Sequence, residues 1–414
     1  LWIRATPGDD KSISDVYAGK SVFVTGATGF LGKVLIEKLL YSCPKISNVY
    51  ILIREKQNMS TDERLKKILN IPLFDRLRKE RPQDFNKIVP INGDICLPNL
   101  GIKKEEEDML HKTISMVFHV AAIVKFNEPL QIAMAINMKG TKRVLEFCKR
   151  IRNLKAFVYV STAFTNSNLE FVEERMYPSP IPLEEAEEIA DRSYFTEEET
   201  AKILNGRMNT YTFTKELAEN LVAKYQGVVP SAIVRPSIVL SSKAEPVVGW
   251  VDNWYGATGI ILPIAQGVNR VMLNSFEIFL FICPCPFVRT IQSLSFSDIM
   301  PFPMYFFSSN KSKFSLGFIS KNLRLSLISF CRYVKYQTKA LASQMSSENF
   351  TKRTWSICAE RTCALHASLC ATDRECFPCD PRNIVWAEFL STYVEGIKKY
   401  LWDPAISKLT AKSK

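Results

Sequence analysis

The chain has 414 residues, 47% hydrophobic and 23% charged, which excludes wholesale disorder and allows a large core in two domains. A net charge of +12 favours acidic partners: nucleotides, coenzyme A phosphates or an anionic membrane face. Nucleic acid is not expected, since no recognition motif or aromatic–basic stripe accompanies the charge.

From the N-terminus, Leu1–Lys20 has no apolar h-region, so no signal peptide is expected there. Eleven cysteines without a secretory signal then point to reduced thiols in a cytosol-facing compartment. Val22–Val24 reads as a buried strand, followed by glycines at 26, 29 and 32. Beyond them Val34, Leu35, Ile36, Leu39 and Leu40 recur at helical spacing. Strand, Gly-rich turn and helix make the first unit of a dinucleotide-binding βαβ fold. Gly26 turns the chain sharply, Gly29 lets the backbone approach a pyrophosphate, and Gly32 lets helix and strand pack closely. The helix N-terminus offers N–H groups and partial positive charge to the phosphates. The candidate cofactor-binding residues of this turn are Thr25, Gly26, Thr28, Gly29, Phe30, Leu31 and Gly32.

Asn48–Ile53 is a second buried strand ending at Arg54. An arginine there suits a 2′-phosphate and favours NADPH over NADH; the alternative is an arginine that merely caps an exposed strand end. Thr61–Glu80 is polar and basic and reads as a helical surface insertion. Ile88–Asp94 is the third strand, with Asp94 and Ile95 where an adenine could lie. Ser115–Ala122 is the fourth, and Ala121 and Ala122 at its end let a cofactor lie against the backbone. His119 reads as a packed core histidine. Pro129–Arg150 reads as one helix with Ile132, Ile136, Val144, Leu145 and Cys148 on a stripe and Asn137 in its middle. Phe157–Ser161 is the fifth strand. Strands alternating with helices imply a doubly wound parallel sheet with its site at the strands' C-terminal ends.

Two stretches add chemistry. Ser161 and Thr162 place a hydroxyl at the end of the fifth strand. Tyr211 and Lys215 lie four residues apart on a helix, hence on one face. A Tyr with a Lys one turn away is a candidate proton donor whose phenol the ammonium draws toward neutrality, and the Lys215 ammonium can also hold the nicotinamide ribose of the cofactor. The Ser or Thr hydroxyl then orients the substrate oxygen while hydride arrives from the cofactor.

Further on, Phe276–Val288 is apolar but interrupted by Pro284 and Pro286. It is short of the roughly 18 to 20 residues a bilayer span needs, so it can touch a membrane but not cross one. Five cysteines crowd Cys358–Cys379 with His366 among them. The Cys376–Cys379 pair has metal-like spacing but no second close pair, so these read as ordinary thiols, and no metal is expected.

Thr25–Gly32 (TGATGFLG), Tyr159–Phe164 (YVSTAF), Tyr211–Lys215 and Val234–Ile238 (VRPSI) resemble the extended short-chain dehydrogenase/reductases. His119–Phe126 (HVAAIVKF), Ile233–Val239 (IVRPSIV), Gly249–Gly259 (GWVDNWYGATG) and the C-terminal Asp380–Leu401 are more similar to the alcohol-forming fatty acyl-CoA reductases within them. The resemblance implies an α/β Rossmann-like domain over 15–274 and a small helical C-terminal domain over 333–405. It also implies two-step NADPH reduction of a long-chain fatty acyl-CoA through a bound aldehyde to a primary alcohol. Carried over by position, Tyr211 is the proton donor and Lys215 its partner, with the orienting hydroxyl from Thr162 or, second, Ser161. Gly26–Gly32 and Arg54 hold NADPH, with Pro236, Ser237 and Ile238 near the nicotinamide. The expected setting is an intracellular membrane surface, at the endoplasmic reticulum or the peroxisome.

One segment departs from the pattern. Ser275–Arg332 is rich in Phe, Pro and Ser, with neither strand alternation nor helical stripes, and is expected to replace an excised part of the domain. Two rival readings therefore stay open. One is a relative with another substrate, such as a sugar-nucleotide epimerase or a sterol dehydrogenase. The other is a catalytically impaired, cofactor-binding descendant.

Overall fold

The computed structural model describes residues 12–56, 59–266 and 355–402, and in addition 271–272, 305–306, 337–338 and 340. These residues fall into two compact units. One lies within 1–237 and 357–383, the other within 238–356 and 384–414.

The first unit is built on six parallel strands: β1 (Ser21–Thr25), β2 (Val49–Ile53), β3 (Ile88–Asn92), β4 (Ile114–His119), β5 (Ala156–Val160) and β6 (Ser231–Val234). Their order across the sheet is β3-β2-β1-β4-β5-β6. All five residues of β1 and all five of β2 are buried, as expected of central strands covered on both faces. The order reverses between β1 and β4, and in such sheets ligands bind at that switch point, beyond the strands' carboxyl ends.

The helices of this unit are α1 (Ile13–Tyr17), α2 (Phe30–Ser42), α3 (Thr61–Leu69), α4 (Asp75–Glu80), α5 (Lys104–Thr113), α6 (Leu130–Ala133), α7 (Gly140–Lys149), α8 (Leu183–Asp191), α9 (Glu197–Leu204) and α10 (Thr210–Lys224). The main core joins the sheet to α7 and α10 through Phe23, Val117, Phe157, Phe147, Phe213 and Leu217, with the Phe23 and Phe147 rings 5.2 Å apart.

Three expectations need correction. Thr61–Glu80 is not wholly a surface insertion. Helix α3 buries nothing, but a turn led by Pro72 sends Leu73, Phe74 and Leu77 fully into the core. Arg76 there holds the buried Glu37 of α2 at 2.7 and 2.9 Å. The helix expected over Pro129–Arg150 contains a π-turn, Met134–Lys139, between α6 and α7. The extra residue shifts the register, so Val144, Leu145 and Cys148 are buried while Ile132 is 39% exposed. Strand β4 ends at His119 rather than Ala122. Val120 donates its N–H to the Thr25 carbonyl, and the chain then leaves the sheet to cross the glycine turn.

The C-terminal region also divides. Helices α12 (Glu360–Ser368) and α13 (Ala371–Cys376) belong to the first unit. The Glu174 carboxylate accepts from the Arg361 and Thr362 N–H groups and the Thr362 hydroxyl, and Asp373 accepts from the Ile13 N–H at 2.9 Å. In the second unit α11 (Thr258–Ala265) and α14 (Trp386–Tyr400) share a core of Val251, Ile261, Leu262, Tyr393 and Ile397. Its closest approach needs two glycines: a Cβ on Gly396 would lie 1.7 Å from the Gly249 carbonyl oxygen. The GWVDNWYG stretch and the C-terminal helix are thus one packed body.

The domain boundaries expected at 274 and 332 fall outside the described residues, as does Phe276–Val288. Of Ser275–Arg332 only Tyr305–Phe306 is described, paired in parallel with Val271–Met272. Among the described residues no helix is long and apolar enough to cross a membrane.

Candidate active site

The turn after β1 shows what each glycine is for. Gly26 has φ +72°, and a Cβ there would lie 2.5 Å from the Ala121 nitrogen. A Cβ on Gly32 would lie 2.3 Å from the Gly26 carbonyl oxygen, so Gly32 packs against the turn itself rather than against the strand. Gly29 differs. A Cβ there would meet only the Gly26 oxygen, at 3.3 Å, and otherwise enter open space. Gly29 is also the N-cap of α2 and has no side-chain cap. An open face at the uncapped start of a helix is the cradle a pyrophosphate needs, so the residues present fit a dinucleotide.

Thr28, Phe30 and Leu31 lie half-buried along this turn. Thr25 faces inward: its hydroxyl accepts from the Ala121 N–H at 3.3 Å and is hydrogen-bonded to His119 Nδ1 at 2.7 Å. His119 Nε2 lies 3.0 Å from the Thr141 hydroxyl, which donates to the Asn137 carbonyl. Burial drives the His119 pKa down to about 3, and the ring is a neutral structural pin, as its place within the strand suggested.

Arg54, 66% exposed, stands just beyond β2, 3.4 Å from the Asp94 carboxylate at the end of β3. Asp94 also accepts from the Cys96 N–H at 2.9 Å. Ile95 buries its side chain against Gly140 at the start of α7. A residue not singled out from the sequence joins this corner. Arg64 of α3 donates to the Arg54 carbonyl, and burial together with the Arg54 charge lowers its pKa. Arg64 thus brings a second guanidinium to the strand end, beside the Arg54 main chain.

At the other side of the switch point, Asn209 caps α10 by accepting from the Thr212 N–H at 2.9 Å. That start places Tyr211 in the first turn and Lys215 in the second. Tyr211 adjoins the Thr162 hydroxyl, which eases the phenol's loss of its proton, and has the Phe126 ring 5.9 Å from its own. Ser161 Oγ is buried and has no hydrogen-bond partner, so of the two candidate hydroxyls Thr162 is the one that acts on the phenol. Lys215 Nζ donates to the Val160 carbonyl at 2.7 Å and lies 4.5 Å from the centre of the Tyr159 ring.

The titration behaviour differs from expectation. Burial lifts Tyr211 to about 12, opposed only by Thr162, while burial lowers Lys215 to about 7, opposed by Glu219. Desolvation penalises both charged forms and outweighs the attraction expected between ammonium and phenolate. At neutral pH the phenol therefore keeps its proton, the state an acid catalyst needs.

Asn137, in the π-turn, fixes the crossing after β4: it accepts from the Ile123 N–H at 2.9 Å and donates to the Ile123 carbonyl at 3.1 Å and the Thr214 hydroxyl at 3.0 Å. Ala121 and Ala122 lie half-buried on this crossing. Pro236 accepts from the Ala163 N–H at 2.9 Å, beside Thr162, and Ser237 follows exposed. Ile238 belongs to the second unit. Cys358, Cys363, Cys370, Cys376 and Cys379 are free thiols, and no group of three or more potential metal ligands occurs among the described residues.

Comparison with known proteins follows the same lines. One family model, described as male sterility protein, matches residues 24–290, and a second with the same description matches 318–403. The chain is 33% identical to fatty acyl-CoA reductase 1 of Xenopus laevis, covering 97% of this chain and 88% of that protein. It is 31% identical to fatty acyl-CoA reductase 1 of Homo sapiens with the same coverage. The match to fatty acyl-CoA reductase wat of Drosophila melanogaster is 40% over 65% of this chain. Among solved structures, the terminal R domain of the myxalamid PKS-NRPS pathway superposes with TM-score 0.57 at 20% identity, over 92% of this chain and 91% of that one. The reductase domain of a Mycobacterium tuberculosis nonribosomal peptide synthetase gives 0.56 at 16% with the same coverage. These two establish the fold. The Xenopus alignment runs over 457 positions against a chain of 414, so the relative holds residues inside the match that this chain lacks.

Proposed function

The chain belongs to the fatty acyl-CoA reductase family, and on that premise we propose that it reduces a long-chain fatty acyl-CoA with NADPH, through an aldehyde, to a primary alcohol. The observation that carries the reading is the Thr162–Tyr211–Lys215 group, at the same sheet edge as the open Gly29 turn. A bound nicotinamide cofactor supplies hydride. In the first reduction the thioester carbon gains hydride, the C–S bond breaks and coenzyme A leaves as its thiol. The second converts the aldehyde to the alcohol. Tyr211 donates the proton to the substrate oxygen, and Thr162, beside the phenol, holds that oxygen in place. Lys215 supports the phenol from the next turn.

Arg54 and Arg64 are the groups we assign to a 2′-phosphate, and they support NADPH over NADH. The basic surplus supports a phosphate-rich coenzyme A substrate and work at an anionic membrane surface facing the cytosol, at the endoplasmic reticulum or the peroxisome.

The test is NADPH oxidation and alcohol formation with palmitoyl-CoA on purified protein. Tyr211→Phe is expected to lose roughly 10²- to 10⁴-fold in kcat while binding NADPH as before. Turnover unaffected by Tyr211→Phe overturns the assignment. The relatives' additional residues favour one second reading, a protein that binds NADPH but reduces nothing. Binding without any alcohol is its signature.

A further inference from the structure

Helix α10 carries a second buried charge one turn beyond Lys215. Glu219 is 1% exposed. Both its oxygens are taken by Arg235, at 2.9 Å from Nε and 2.7 Å from Nη2. Arg235 is itself fixed, donating to the main-chain carbonyls of Glu173 at 3.2 Å and Arg175 at 2.9 Å. Lys215 and Glu219 are four residues apart, the spacing at which opposite charges on a helix ordinarily meet. Among the described residues the two form no ion pair with each other. The ammonium goes instead to the Val160 carbonyl at the end of β5.

We propose that Arg235 is a positioning residue for the reduction: by occupying both oxygens of Glu219 it stops that carboxylate from drawing Lys215 away from Val160. The inference rests on the reductase reading above for the reaction itself, and on side-chain geometry alone for the device. Glu219 is near enough to Lys215 to oppose the effect of burial on its charge, so an unclaimed carboxylate would compete for the ammonium at once. Buried carboxylates do not stay unpaired, because desolvation makes an isolated charge costly. Without the guanidinium, Lys215, one turn away on the same helix, is a cation within reach. This also gives a role to the arginine of the VRPSI motif, which neither cofactor nor substrate binding had required.

The test compares wild type, Arg235→Met, Glu219→Gln and the double variant. The readouts are thermal melting, NADPH dissociation by nucleotide fluorescence, and kcat and KM with palmitoyl-CoA. Arg235→Met is expected to lose roughly tenfold or more in kcat and to bind NADPH more weakly, with KM for the acyl-CoA little changed. The double variant, which removes the competing carboxylate, is expected to return to within about threefold of wild type. A merely structural arginine predicts the opposite, since the double variant also lacks the bonds to Glu173 and Arg175. A double variant as impaired as Arg235→Met, or an unimpaired Arg235→Met, overturns the proposal. If Arg235→Met does not fold, Arg235→Lys takes its place: a point charge satisfies one oxygen, and the same rescue by Glu219→Gln is expected. If wild type reduces no acyl-CoA, the reductase reading fails. The order of NADPH affinities across the four proteins still decides the role of Arg235.

Discussion

Lys215 is the residue whose environment and chemistry conflict most. An ordinary lysine titrates near 10.5, and burial brings this one to about 7. Between those values the unfolded chain binds more protons than the folded one, so this group makes stability rise as pH increases from about 7 to about 10.5. Lys215→Met removes that rise and leaves its largest gain in stability below pH 7, at the cost of activity. Urea titrations of both proteins across this range are the check; identical pH slopes would contradict the burial. The Tyr211–Lys215 pair was legible because a four-residue spacing fixes two side chains on one helical face. The ranking of Thr162 above Ser161 came from the family resemblance and not from spacing, since it depends on how the chain twists after leaving β5. Arg64 was hidden for another reason: its neighbour Arg54 sits ten residues back in the sequence, and only the return of α3 brings them together. Arg54→Ala is expected to weaken NADPH binding roughly tenfold or more and NADH binding little. Equal losses for both cofactors in a fluorescence titration would remove Arg54 from the 2′-phosphate.

At the scale of elements, the glycine turn separates two roles that sequence alone merges. Gly26→Ala places a side chain at positive φ and against Ala121, and is expected to cost about 2 kcal/mol or more in stability. Gly29→Ala has ordinary φ and open space, so its stability should stay near wild type while dinucleotide affinity falls. Melting curves and fluorescence titrations on the two variants distinguish them, and an unchanged affinity in Gly29→Ala would contradict the cradle. Strands β1, β2, β4 and β5 were readable because central parallel strands are continuous apolar runs bounded by polar turns. Ile132 was misplaced because a π-turn leaves no composition signal yet rotates everything before it. Leu73, Phe74 and Leu77 were overlooked for the opposite reason: surrounding charge hid three core residues inside a basic stretch.

At the scale of the molecule, the sequence suggested one domain after another, whereas each compact unit is assembled from separate stretches. Residues 357–383 join the sheet-bearing unit through Glu174 and Asp373, contacts between residues far apart in the chain that periodicity cannot reveal. The Gly249–Gly396 approach joins two motifs that had each supported the family resemblance separately. Both units persist although the chain is shorter than its match to the Xenopus relative, so the chemistry must be judged directly. The decisive measurement is the ratio of NADPH oxidised to coenzyme A thiol released with palmitoyl-CoA as substrate. Two hydride transfers per C–S bond broken predict a ratio of about two, with alcohol as the product. A ratio near one with free aldehyde, or thiol release without NADPH oxidation, would contradict two reductions at the Thr162–Tyr211–Lys215 site.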